Sequence, residues 1–272
     1  LSCAAVAAER GHEVALYEKS SQLGGQFNLA KVIPGKQEFA ESVAYYEERL
    51  RRAGVRVHLE TIAEEKDLPG YDEVVIATGI EPRRPGIPGI EHPKVASYVE
   101  VLTGRARVGR EVAIIGMGGI GFDVALYLLE RESRAPLDPQ AFARHWGISP
   151  EGEVSSPPPS APAHRITMLK RSHTPFGHTL GRTTGWVHRA VLARNGVRML
   201  KGVEYRRIDD EGLHLTMDGK QMLIAADTVI VCAGQVPRKE LKGTHVIGGA
   251  KEASELDAKR AMLEGAEVGA QL

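Results

Sequence analysis

The chain has 272 residues, room for one large domain or two of ordinary size. Lys and Arg total 35, as do Asp and Glu, so the formal net charge is zero and nothing points to a nucleic-acid partner. Apolar residues make up 42% with no run long enough to span a membrane, and no basic segment leads into an apolar core, so no membrane partner is indicated and the cytoplasm is the expected compartment.

Leu1 to Arg10 reads as a helix ended by Gly11, and Glu13 to Glu18 as a short strand finishing in an acid. Helix, glycine and acid-tipped strand are the second half of a βαβ unit, so its first strand and glycine-rich turn are expected before residue 1. Glu18 is then placed to hold an adenosine ribose, and the paired glycines of Gly24-Gly25-Gln26 would let backbone approach a cofactor. Residues 37–53 put Phe39, Val43, Tyr46 and Leu50 on one helical face, and Val55 to Leu59 alternate as a strand. Tyr71 to Ala77 reads as a strand buried on both faces that runs into Thr78-Gly79, at the strand end where such folds take ligands. Residues 81–93, rich in Pro and Gly, read as a linker leaving the first domain.

Val112 to Ile115 opens onto Gly116-Met117-Gly118-Gly119-Ile120-Gly121, a GxGxxG run followed by an apolar helix to about Leu129. Gly116 permits the tight turn, Gly118 lets backbone meet a pyrophosphate, Gly119 sits where the helix begins, and Gly121 allows close helix–strand packing. The helix N-terminus offers N–H groups and a partial positive charge to the phosphates. Residues 131–163 lack periodicity around Ser155 to Ser160 and read as a surface insertion. The strand at 165–170 ends in Lys170-Arg171 rather than an acid, which suits a ribose 2′-phosphate better than a free diol and favours NADPH over NADH. Arg182 and Arg189 are further candidates for that phosphate.

A helix over 184–194 is stopped by Gly196, and Val197 to Leu200 and Leu213 to Met217 read as strands. Ala226 to Ala233 repeats the strand-into-glycine pattern of Ile76 to Gly79; a short strand lies within Leu241 to Gly249, and a terminal helix covers 254–264. Alternating strands and helices predict an α/β fold with parallel sheets. The repeat predicts two Rossmann-like domains: one spans 1–95 and 225–272, and the second, at 106–224, interrupts it. Cys3 and Cys232 read as small buried hydrophobes and are too few to hold an iron–sulfur cluster; no metal site is expected.

Three stretches carry a family resemblance. Gly24 to Lys31 with Ile33-Pro34-Gly35-Lys36, Ile114 to Asp123, and Gly181-Arg182-Thr183-Thr184-Gly185-Trp186-Val187-His188-Arg189 resemble the C-terminal half of bacterial NADPH-dependent 2,4-dienoyl-CoA reductases, as does the tail from Ile247 to Ala261. The resemblance implies an FAD domain interrupted by an NADPH domain. It places Glu18, Gly25, Gln26, Thr78, Gly79, Gly248 and Gly249 at FAD, with Leu256 to Arg260 returning over the flavin, and Gly116, Gly118, Gly119 and Gly121 at NADPH. Family members also carry an N-terminal (β/α)₈ barrel that holds FMN and the acyl-CoA substrate, and a cysteine cluster that holds a 4Fe–4S centre; this chain is similar to neither part. The implied route runs from NADPH to FAD, through the iron–sulfur centre to FMN, and on to the dienoyl thioester of fatty-acid β-oxidation.

No catalytic residue is assigned in this chain, because the groups that protonate the thioester belong to the barrel. His188 and Asp123 are poor candidates, since hydride transfer between two rings needs placement more than proton transfer. The chain departs from the pattern in lacking the first GxGxxG, in a short stretch between Arg238 and His245, and in Gly248-Gly249-Ala250-Lys251 where Gly-Asp is usual. Two other readings remain: an amine-dehydrogenase-like flavoprotein domain that makes no use of NADPH, and a non-catalytic nucleotide-binding docking module. The GxGxxG run and Lys170-Arg171 speak against the first.

Overall fold

The structure is a computed structural model that describes residues 1–156, 162–178, 180–254 and 257–272. The middle of the expected insertion and Leu256 lie outside the described residues. The chain forms two compact units, one of Lys31–Gln37 and Pro82–Gly234, the other of Leu1–Ala30, Glu38–Glu81 and Gln235–Leu272.

The first unit is built on a five-stranded parallel sheet in the order Val95–Ser97, Thr228–Val231, Glu111–Ile115, Arg165–Lys170, Arg198–Lys201. Its central strands are unbroken apolar runs because both faces are covered; Val112 to Ile115 and Val229 to Ile230 are all buried. The helices Gly119–Glu130 and Gly185–Arg194 follow successive strands in the sense of βαβ crossovers. A three-stranded antiparallel sheet, Glu204–Asp209, Gly212–Met217 and Lys220–Ala225, buries Ile208, Leu213, Leu215 and Ile224 against Ala113, Ile115, Leu169 and Val229.

Two expectations change here. Thr228–Val231 pairs with Glu111–Ile115, so the chain leaves this unit after Gly234 rather than at 224. The stretch 81–93 is not a free linker. Ile87 is buried in the same core, and Pro88 O accepts from Ile208 N at 2.8 Å. Gly89 has φ +82°, and a Cβ there would overlap the Ile208 carbonyl.

The insertion contains a helix, Pro139–Trp146, which the sequence reading missed. Asp138 caps it by accepting from Gln140 N and Ala141 N, and Gly147 ends it in the left-handed region at φ 69°. Its last turn is held by Arg194, which donates to His145 O at 2.8 Å and to His145 Nε2 at 2.5 Å and lies over the Trp146 ring. Glu130 Oε1 is 3.4 Å from the same guanidinium. Burial, the largest cause, holds the His145 pKa below its usual value against the opposing pull of Glu130; Arg194 adds to the lowering.

In the second unit the helix Ser2–Glu9 packs on Ala258–Gln271 and on Phe39–Arg52. Small residues allow the close approach. A Cβ on Gly269 would stand 2.7 Å from Cys3 O, and Ser2 Oγ donates to Met262 O at 2.9 Å. The strands are short parallel pairs: Ala15–Tyr17 with Arg56–His58, and Val75–Ile76 with His245–Val246. The long doubly buried strand expected over 71–77 is therefore two residues, with only Ile76 buried, because the one neighbour found among the described residues is itself short. The terminal helix starts later than expected, at Ala258 behind the Asp257 cap, and runs to Gln271.

Candidate nucleotide-binding site

Glu111–Ile115 delivers the chain to Gly116 at φ +114°, where a Cβ would overlap the Cys232 carbonyl. At Gly121 a Cβ would overlap the Gly116 carbonyl oxygen, so this glycine sets the distance from helix to turn. Gly118 and Gly119 differ from both. A Cβ on either meets nothing within 4 Å, and both residues are exposed. The helix Gly119–Glu130 thus begins on an open surface, and first-turn N–H groups have no intrahelical partner. This is the cradle that a pyrophosphate requires.

At the end of the neighbouring strand the two cations part company. Arg171 is exposed, whereas Lys170 is buried with 8% of its surface accessible. The Lys170 ammonium donates to Thr174 Oγ1 at 2.8 Å and to Pro175 O at 3.0 Å. Burial, with Lys201 nearby, lowers its pKa. Lys170 therefore does not stand free beside Arg171 as expected: it is buried, and two of its donors are taken by neutral acceptors. Arg182 and Arg189 are exposed.

The structure also joins residues that the sequence reading set aside. Lys36 Nζ donates to both oxygens of Asp123 at 2.7 Å, with their side chains 33% and 23% exposed. Asp123 is two residues past Gly121, in the first turns of the glycine-loop helix. His188 shares this surrounding; burial lowers its pKa first, Asp123 raises it and Lys36 lowers it. The Cys232 thiol is pushed up by burial and by Asp123. Three motifs that carried the resemblance thus converge on one polar cluster within this unit, a pairing across 87 residues that no local pattern signals.

In the second unit Glu18 ends its strand and its Oε1 accepts from Ser20 N at 2.7 Å. Gly24, at φ +112°, is the tightly packed member of the glycine pair, 2.8 Å from Val43 by its absent Cβ. Gly25, at φ +48°, faces open space. Gln26 is exposed beside it. Thr78 donates to Arg238 O at 3.2 Å, and Gly79, at φ +76°, accepts from Arg238 N at 3.1 Å. Gly248 and Gly249 are buried in a short 3₁₀ turn, and Gly248 N donates to Glu264 Oε2 at 2.6 Å. Glu264 had no sequence signal. Lys251 is exposed and lines a cleft of about 340 Å³ with Thr244, His245 and Glu264. Among the described residues the sole carboxylate–imidazole cluster of metal-ligand type is Asp209, Glu211 and His214; Asp209 is already ion-paired to Arg207 at 2.9 Å.

Residues 1–252 match the family model described as pyridine nucleotide-disulphide oxidoreductase. The chain is 33% identical over 249 residues to a metal reductase of Desulforamulus reducens, covering 89% of this chain and 36% of that protein. It is 31% identical to an NADH oxidase of Thermoanaerobacter brockii, covering 90% and 34%. A solved 2-naphthoyl-CoA reductase in complex with 2-naphthoyl-CoA superposes with a TM-score of 0.80 at 25% identity, over 100% of this chain and 38% of that one. The chain spans about a third of the length of these relatives.

Proposed function

Because the chain belongs to the pyridine nucleotide-disulphide oxidoreductase family, with its two dinucleotide-binding subdomains for FAD and NAD(P)H, we propose that it takes hydride from NADPH onto FAD and passes the electrons to a further part of a larger flavoprotein. The unit Lys31–Gln37 and Pro82–Gly234 binds NADPH, and the other unit holds FAD. The observation that carries this reading is the open pair Gly118–Gly119 at a helix start, beside a strand end bearing Arg171 and no carboxylate.

The residues on the second unit fit a flavin nucleotide. Gly25 and Gly79 have positive φ and no neighbour where a side chain would stand, so backbone is accessible there. Glu18 would accept from the adenosine ribose, as acids at this strand position do. FAD, when bound, supplies the two-electron acceptor. On the nucleotide side the helix start orients the pyrophosphate, and the Lys36–Asp123 pair holds the glycine-loop helix to the segment Lys31–Gln37. No proton donor in this chain is required for a hydride step.

The fuller reading is a 2,4-dienoyl-CoA reductase-like enzyme of fatty-acid β-oxidation, whose barrel part holds FMN, a 4Fe–4S centre and an acyl-CoA. The motif resemblance supports it, as does the likeness to a reductase whose substrate is an aromatic acyl-CoA. Arg171→Ala tests the NADPH assignment. In the holoenzyme it is expected to raise KM for NADPH about tenfold, the loss of one charge-assisted contact of ~1.5 kcal/mol, and to leave KM for NADH within twofold. An equal rise for both nucleotides refutes it.

A further inference from the structure

Lys170 is an unusual residue to bury at the tip of a sheet strand. An ammonium loses hydration there, so it persists only where acceptors replace the water. It has them in Thr174 Oγ1 and Pro175 O, and its Nζ also lies 5.6 Å from the centre of the Phe176 ring. Lys201, on the next strand, approaches the same ring at 5.8 Å, so two cations share one aromatic neighbour.

The loop that follows Lys170 is fastened from outside as well. Ser172 O accepts from Gly202 N at 3.3 Å, and Ser172 Oγ meets Thr174 Oγ1 at 2.9 Å. The His173 ring packs over Gly202, in space that a Cβ would occupy. Residues 171–176 are therefore tied to the buried ammonium on one side and to the neighbouring strand on the other. Arg171 and Ser172 lie at the exposed surface of this loop.

We propose that Lys170 is a positioning residue for 2′-phosphate selection: by bonding Thr174 and Pro175 from beneath, it sets the loop on which Arg171 and Ser172 are presented to the adenosine end of NADPH. This rests on the NADPH reading given above. A methionine of similar length would fill the space but leave Thr174 Oγ1 and Pro175 O without their donor. The loop would then lose its inner tether while the glycine turn at Gly116 kept its own.

The experiment is calorimetric binding of 2′,5′-ADP and 5′-AMP to the full-length holoenzyme, wild type and variants. Wild type is expected to bind 2′,5′-ADP at least about tenfold more tightly than 5′-AMP. Lys170→Met and Thr174→Val are each expected to reduce that ratio by roughly tenfold with 5′-AMP affinity unchanged, and Lys170→Arg to restore most of it. Unchanged 5′-AMP binding certifies that each variant is folded. If Lys170→Met and Thr174→Val keep the wild-type ratio, the positioning role is overturned. It is equally overturned if Lys170→Met loses the ratio while Thr174→Val does not, since Lys170 would then touch the phosphate itself. A wild type without preference for 2′,5′-ADP refutes the NADPH reading instead.

Discussion

Four residues of one glycine run divide into two physical classes, and alanine separates them. At Gly121 the added methyl would overlap the Gly116 carbonyl oxygen, lie 3.1 Å from its carbon and come 3.6 Å from Met168 Cε. The first obstacle is backbone on a turn that is itself packed on Cys232, so neither side can swing away as a side chain would. Overpacking of this kind costs about 2–3 kcal/mol, the upper part of the usual range, and lowers the melting temperature by roughly 5–10 °C. At Gly118 the methyl meets nothing within 4 Å and the backbone is extended at φ −85°, ψ −172°, open to any residue. The cost to the fold is the loss of glycine at a helix cap, about 1 kcal/mol or less. Its effect falls on the ligand, because the methyl stands where a phosphate would approach. Loss of one charge-assisted hydrogen bond, about 1.5–3 kcal/mol, weakens nucleotide binding roughly ten- to hundredfold. Thermal unfolding and calorimetric NADPH binding on Gly118→Ala and Gly121→Ala read the two effects separately. If Gly118→Ala melts as early as Gly121→Ala, or binds NADPH as tightly as wild type, the assignment of this turn to pyrophosphate is wrong.

The Lys36–Asp123 pair is about a quarter to a third exposed, so solvent screens it; a double-mutant cycle of Lys36→Met and Asp123→Asn is expected to give a coupling of about 0.5–1 kcal/mol in unfolding free energy. A coupling near zero means that the segment Lys31–Gln37 is held by something else. His145 supplies a pH signature. Arg194 donates to its Nε2, so that nitrogen is a lone pair in the folded protein, and the folded pKa lies below the ordinary value of about 6.5. The unfolded chain therefore binds the proton more readily. The contribution is complete above about pH 6.5 and is lost as the pH falls toward the lower folded pKa. Melting temperature in wild type should drop faster below pH 6.5 than in His145→Gln; parallel slopes would discount the histidine.

Much of the nucleotide unit was legible from sequence. Its buried parallel strands are uninterrupted apolar runs, and the run from Ile114 to Gly121 encodes strand, turn and helix in one stretch. The antiparallel sheet was half seen. Leu213 to Met217 alternates, but Glu204–Asp209 sets charges between its few apolar residues, and Lys220–Ala225 leaves Leu223 exposed on the face opposite buried Ile224, so neither shows a clean apolar alternation. The helix Pro139–Trp146 did carry its signals, Asp-Pro at the start and Gly at the end, inside a segment whose proline run suggested irregular structure. Lys170 was misplaced because composition at a strand tip does not tell how far the cover over a sheet extends. Met168 and Leu169, on opposite faces of the strand, are both fully buried, so here the sheet is covered on both sides up to its tip and Lys170 with it. The meeting of Lys36, Asp123 and His188 depends on three separate segments and has no local cause.

The strand Val75–Ile76 finds its partner in His245–Val246, 170 residues later, and the helix Ser2–Glu9 finds its principal neighbour in Ala258–Gln271. Between them lies a stretch, Pro82–Gly234, whose sheet closes within itself. On a ribosome these two parts finish at different times. The interrupting stretch can assemble once Gly234 has emerged, whereas Cys3 on the helix Ser2–Glu9, which packs against Gly265 and Gly269, stays unshielded until Ala258–Gln271 has been made. Substitutions that slow assembly of the helix Ala258–Gln271 should thus expose the helix Ser2–Glu9 to chaperones and proteases, although nothing near either nucleotide has been altered.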